Sequence, residues 1–165
     1  MNDIERESME WIKRASEYRT LRGKRDLLGY PLGAVEGARL DELERFFQEN
    51  LHPSRMVFNQ REQQRIGISI VVTFSGRDGN GRGRARDVSG DGLFVEAEQS
   101  LPVGAKTVVS VMDRTTQEEW QFSAEVVRIE SSGMGLKFLG IPLSLRVGHR
   151  RPEPTVRRPP LRQAA

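Results

Sequence analysis

Two arginines, Arg61 and Arg65, stand four residues apart just ahead of an apolar strand, and the sequence Asp87-Val88-Ser89-Gly90-Asp91-Gly92 follows on the far side of a hairpin. A guanidinium is a planar fork of donors suited to anions. A carboxylate and a hydroxyl supply acceptors and a donor for a polar ring. A fold that brings both groups to one rim makes a cradle for an anion and a base. The pair alone says little, because arginines four apart recur at 82/86, 146/150 and 158/162 among 22 arginines, whereas the Asp-x-Ser-x-x-Gly sequence occurs once.

Other chemistries are poorly supplied. The 165 residues contain no cysteine and only His52 and His149. That removes disulfides, thiolate metal sites and a cysteine nucleophile. The two histidines flank the domain and are not placed to serve as a base for any serine, Glu118-Glu119 reads as the exposed start of a strand, and Gly90-x-Gly92 is too short for a dinucleotide fingerprint. The reading is therefore of a protein that is not an enzyme and carries no cofactor. The N-terminus lacks a secretion signal and no apolar run approaches the ~20 residues of a membrane helix, so a soluble, cytoplasmic protein is expected. The length suits one domain with an extension. The net charge of +3 is uneven: from Ser144 onward six arginines face one acid, Glu153, so that segment carries +5 and the rest −2. Such a basic tail can attract polyanions, although arginine outnumbers lysine 22 to 4 throughout the chain.

The elements that must position these groups follow from periodicity. Residues 3–22 read as a helix with Ile4, Trp11, Ala15 and Tyr18 on one face. The Gly- and Pro-rich run from Lys24 to Gly37 reads as a connector. A second helix is expected at 38–51, with Leu40, Leu43, Phe47 and Leu51 as its stripe, widened by Phe46 and stopped by His52-Pro53. After Arg65 the period changes to two: Ile66, Ile68, Ile70, Val72 and Phe74 alternate with small or polar residues. Asn80-Gly81 suits a hairpin turn. The return strand, about 82–88, carries Arg82, Arg84 and Arg86 on one face. Further strands are expected at 93–98, 107–112, 118–129 and 134–139, the long one with Trp120, Phe122, Ala124, Val126 and Arg128 sharing a face. Six strands with short connections pair antiparallel and hide their edges best by closing. The expected fold is mainly β: a six-stranded antiparallel β-barrel over 61–141, a helical N-terminal extension over 1–52, a segment bearing the arginines at 53–64, and a disordered Arg/Pro-rich tail over 142–165 that buries too little surface to offset its ordering entropy.

In this order (Arg61-Glu-Gln-Gln-Arg65, apolar strand, hairpin, Asp87-Val-Ser-Gly-Asp-Gly-Leu-Phe-Val95, Leu101-Pro-Val-Gly104, a long strand ending Val-Val-Arg-Ile129, Gly133-Met-Gly-Leu-Lys-Phe138) the chain resembles the PilZ domain across about 61–139. PilZ domains are bacterial receptors for the second messenger cyclic di-GMP, with a motif written RxxxR followed by (D/N)xSxxG. The resemblance implies that Arg61 and Arg65 meet phosphates and guanine edges. It also implies that Asp87 and Ser89 meet guanine N–H groups and that Gly92 allows close backbone approach, with Arg86 and Gly90 as secondary contacts. Guanine O6 and N7 are acceptors that an arginine fork matches. The function implied is signal reception: a ligand ordering the segment over 53–64 repositions the helices, whose apolar faces offer a protein partner or self-association. Many PilZ domains continue from the last strand into a helix, which this chain replaces with Ile141-Pro-Leu-Ser-Leu-Arg-Val-Gly-His149 and prolines. Two readings stay open beside it: a PilZ-like adaptor that binds only protein, and a nucleic-acid-binding barrel using Arg82, Arg84, Arg86 and the tail, which lacks exposed aromatics for base stacking.

Overall fold

The computed structural model describes residues 1–49 and 65–148. Arg61, the rest of 53–64, His52, His149 and the tail beyond 148 lie outside the described residues.

The chain opens with α1, Asp3–Asp26. Asn2 accepts from the Glu5 amide while the Glu5 carboxylate accepts from the Asn2 amide, a reciprocal cap for two otherwise unpaired donors. The buried stripe of α1 is Met9, Ile12, Ala15 and Tyr18 with Ser8 and Ser16. Ile4, expected on that face, is 62% exposed, and Trp11 instead stacks on Phe46 with ring centroids 4.5 Å apart. The reason is that α1 has two neighbours: one stripe faces the sheet and Trp11 faces the next helix, so apolar positions spread around the axis. That helix, α2, spans Ala34–Glu49, beginning four residues before the expected start and absorbing Gly37 from the expected connector. It is tied to α1 by Arg39, which donates through Nε and Nη2 to the two carboxylate oxygens of Glu17 at 2.8 Å each.

Six strands follow: β1 Ile66–Gly76, β2 Gly79–Val88, β3 Gly92–Glu96, β4 Lys106–Asp113, β5 Glu118–Glu130 and β6 Gly133–Arg146. All pairings are antiparallel, in the order β1-β2-β3-β6-β5-β4, and β4 pairs back onto β1, closing the sheet. Ile68, Ile70, Val72 and Phe74 point into the core with Val109, Phe122, Val126, Leu136 and Phe138, as alternation along a half-buried strand demands. Phe122 and Phe138 stack there at 4.6 Å.

Two local expectations are corrected. The β1–β2 turn is Arg77-Asp78, because Gly76 pairs with Gly79; Asn80 and Gly81 lie within β2. Gly79 has φ +142°, which a side chain rarely adopts, so the turn's conformational demand falls on it. Gly81 serves packing: a Cβ there would sit 2.6 Å from Cζ of Phe74 across the ladder. The last strand is also longer than expected, running to Arg146 past Pro142, where the tail was placed. Register slips in β6 opposite Gln121–Ser123, and Gly140 has φ +62° there. This irregularity seats α1. Arg19 Nη2 donates to the Gly140 carbonyl at 2.9 Å, and a Cβ on Gly23 would lie 2.5 Å from Cγ1 of Ile141.

At its other half α1 is held by charge. Lys13 Nζ lies 2.7 Å from Asp113 Oδ2 at the end of β4. Burial by itself would raise the Asp113 carboxyl, but Lys13 and the Thr115 and Thr116 amides outweigh it and hold it below its ordinary value. No helix among the described residues is long and apolar enough to cross a membrane.

Candidate functional site

Bounded by the C-terminal half of α1, the loop joining β2 to β3, and β6, a cleft of about 610 Å³ opens between helix and barrel. Arg65, Ser89 and Gly92 line it from the barrel side. Arg65, the last residue before β1, donates through Nη1 to Asp87 Oδ1 at 3.0 Å, so the arginine and the acid of the two motif halves meet. The register Ile66↔Val88 and Gly67↔Asp87 makes this unavoidable: β1 and β2 pair antiparallel, which returns residue 87 to the point where residue 65 enters. Both side chains are largely shielded, at 22% and 16% exposure.

Ser89 and Gly92 behave differently from the strand argument. β2 ends at Val88, so Ser89 lies in the loop and shares no strand face with Asp87. Its Oγ accepts from the Asp91 and Gly92 amides, each at 3.2 Å, and its own amide donates to the Gly92 carbonyl at 2.9 Å. The hydroxyl thus closes a tight loop, the local hydrogen bonding that serine favours in turns. Gly92 is required by the sheet itself: a Cβ would collide with the Leu136 carbonyl of β6. The backbone of this loop is therefore fixed at the rim of the cleft.

Of the two secondary candidates, neither Arg86 nor Gly90 lines the cleft. Arg86 sits at a register shift of β2 against β3 and its guanidinium lies 4.0 Å from the Phe94 ring on the outer face. There it is 3.8 Å from Glu96 and 4.0 Å from Glu130. Arg84 donates to the Ser69 hydroxyl at 3.0 Å. Arg128, expected among the apolar residues of β5, also turns outward toward Phe94, at 5.5 Å, because β5 shifts register between Val126 and Arg128.

The helix side of the cleft was not foreseen. Arg19, Arg22 and Asp26 of α1 line it, together with Asp91 and with Lys137 of β6. Arg19 Nη1 and Arg22 Nη1 each stand 3.8 Å from the same oxygen, Asp91 Oδ1. Burial pushes the Arg19 guanidinium below its usual value, with Asp91 opposing. The only sequence signal was the spacing of Arg19 and Arg22 by three on a helix, which places both on one face without saying what that face meets. Among the described residues no group of three or more His, Cys, Asp or Glu could hold a metal ion.

A family model described as the PilZ domain matches residues 59–148. Among solved structures, the chain is similar to the PilZ domain of CeSA from a cellulose-synthesizing bacterium, at 20% identity and a TM-score of 0.40, over 47% of this chain and 81% of that one. No curated protein matches.

Proposed function

The chain belongs to the PilZ domain family, a family of cyclic di-GMP receptors, and we propose on that premise that it binds cyclic di-GMP in the cleft between α1 and the barrel. The ligand carries two phosphodiester anions and two guanines. Arg65 and Arg61 serve its phosphates and guanine edges, the Asp87 carboxylate accepts from a guanine N–H, and the loop Ser89–Gly92 offers a rigid backbone edge against which the base lies. The observation that carries the reading is that Arg65, bonded to Asp87 at 3.0 Å, lines the same cleft as Ser89 and Gly92, while Asp87 itself stands just behind that lining. Of the described motif residues, Arg65 from the first half meets Asp87 from the second, which supports the reading.

Reception is coupled to the helices by connectivity. The segment over 53–64 joins α2 to β1, and Arg61 lies on it, so a ligand gripped by Arg61 and Arg65 biases the position of α2. The output is a changed helical surface for a protein partner or a second copy. No proton transfer or bond cleavage is required.

Isothermal calorimetry on the full chain tests this. Cyclic di-GMP is expected to bind at about one site per chain or as a stacked pair, with GTP and cyclic AMP silent. Absence of heat with cyclic di-GMP, or equal heat with GTP, overturns the assignment and favours an adaptor that works through protein contacts alone.

A further inference from the structure

Resting on the receptor reading, we propose that α1 is the second wall of the ligand site: Arg19 and Arg22 receive a phosphodiester group of the nucleotide, for which the Asp91 carboxylate competes.

The geometry around Asp91 is the starting point. Two guanidinium groups converge on one carboxylate oxygen, each at 3.8 Å. Hydrogen bonds between a guanidinium and an anion are about 2.7–2.9 Å. The pair is thus attracted by charge without being matched by hydrogen bonds. Both arginines are nonetheless held in place. Arg19 is anchored through Nη2 to the Gly140 carbonyl, and Arg22 donates through Nη1 to the Tyr18 hydroxyl at 2.6 Å. Arg19 also keeps a buried Nε with no hydrogen-bond partner among the described residues, which is costly in a shielded place. A phosphodiester shares one negative charge over two non-bridging oxygens and, free to settle between the two forks, can give each guanidinium an oxygen at hydrogen-bonding distance, whereas both now share one oxygen of Asp91 at 3.8 Å.

The charge of the whole cleft points the same way. Its lining carries four cations (Arg19, Arg22, Arg65 and Lys137) against two carboxylates, Asp26 and Asp91. Asp87, paired with Arg65 at 3.0 Å beside that lining, offsets one of these cations, and the net positive charge that remains suits a phosphodiester anion. The volume, about 610 Å³, falls inside the ~300–1,000 Å³ of small-molecule sites. Because Arg19 and Arg22 sit on α1, a nucleotide held by them and by Arg65 clamps helix to barrel. Ligand binding then reads out directly in α1, independently of the segment over 53–64.

The test is a set of calorimetric titrations with cyclic di-GMP on the full chain and on Arg65→Ala, Arg22→Gln, Arg22→Lys and Asp91→Asn, with thermal unfolding of each. Arg22→Gln is expected to weaken binding by roughly tenfold, the loss of a charge-assisted contact, and Arg22→Lys by less, since it keeps the charge without the fork. Asp91→Asn is expected to tighten binding by about two- to fivefold, because a competing carboxylate is gone. Opposite signs at two residues that touch each other are not produced by loss of structure. Should Arg22→Gln unfold, the sign at Asp91 decides. Parent-like affinity in both Arg22→Gln and Asp91→Asn, or weakening in Asp91→Asn, while Arg65→Ala loses binding, overturns the role of α1 and leaves the receptor reading standing. No binding by the parent overturns both.

Discussion

Two arginine clusters lie on either side of the β2–β3 pair, and Asp87 touches both: one carboxylate oxygen takes Arg65 at 3.0 Å, the other lies 3.7 Å from Arg86. On the outer face Arg86 and Arg128 flank the Phe94 ring and are matched by Glu96 and Glu130. Charges there are balanced and the guanidinium planes cover an aromatic that is fully buried yet lies outside the barrel core. Arg128 has a buried Nε with no partner among the described residues, but that atom lies against the Gly135 backbone, where a Cβ would come within 2.7 Å of it. In the cleft, four cations meet two carboxylates of the lining and, behind Arg65, the shared Asp87, so positive charge remains in excess. The same residue type therefore makes packing material on one side and the lining of an open cleft on the other. What separates the two is the local count of acids and whether the donors are covered by the sheet or face open space.

That contrast can be broken by substitution. The largest effect is expected at Phe94. Phe94→Ala removes a buried ring and should cost about 3–4 kcal/mol of stability in urea unfolding, while affinity for cyclic di-GMP stays within about twofold where the protein remains folded. A large loss of affinity at unchanged stability would mean that the outer face, too, is a binding surface. Next comes Arg65→Ala, which should weaken cyclic di-GMP binding about 10- to 100-fold, equivalent to roughly 1.4–2.7 kcal/mol, with the unfolding midpoint little changed; parent-like calorimetry would refute the site.

A smaller effect tests how α1, the cleft's helix wall, is docked. The Asp113 carboxyl is held below its ordinary value of 3.8 and the Lys13 ammonium above its ordinary 10.5, in each case against a burial effect of opposite sign. A depressed carboxyl contributes stability above its unfolded value and loses it as pH falls through the folded value. A raised lysine contributes below its unfolded value and loses it as pH rises through the folded one. The pair should therefore stabilise α1 docking fully between about pH 5 and 9. Asp113→Asn should cost about 1–2 kcal/mol at pH 7, between exposed and buried ion pairs, and should flatten the decline in stability seen in the parent below about pH 4. An unaltered acid limb in the variant would show that α1 docks through packing alone. The smallest change is expected for Arg86→Ala: about 0.5–1 kcal/mol of stability, from its stacking on Phe94, and no measurable change in affinity. Tenfold weaker binding there would restore Arg86 to the site.

Much of this was legible from residue order. The change of period at Ile66, the alternation to Phe74 and the single Asp-x-Ser-x-x-Gly sequence specify an antiparallel β protein whose motif halves sit at neighbouring strand ends, because strand periodicity and antiparallel return are local rules. Local rules also misplaced details. Asn80-Gly81 matches a turn signal, but the register set by Phe74 crossing Gly81 moves the turn to Arg77-Asp78. Pro142 reads as a terminator, yet β6 continues to Arg146 alongside β5, since a partner strand overrides single-residue preference.

The sequence by itself thus determined the strand pattern, the family resemblance and the pairing of Arg65 with Asp87, all consequences of spacing along one hairpin. Only the tertiary structure decided that Arg19 and Arg22 join them. Residues more than 40 positions away in the chain line one cleft with Arg65 because α1 seats on the irregular stretch of β6 at Gly140-Ile141. No periodicity encodes that contact: it depends on where a helix finds shape and charge complementarity on a closed sheet, which exists only once the strands have paired.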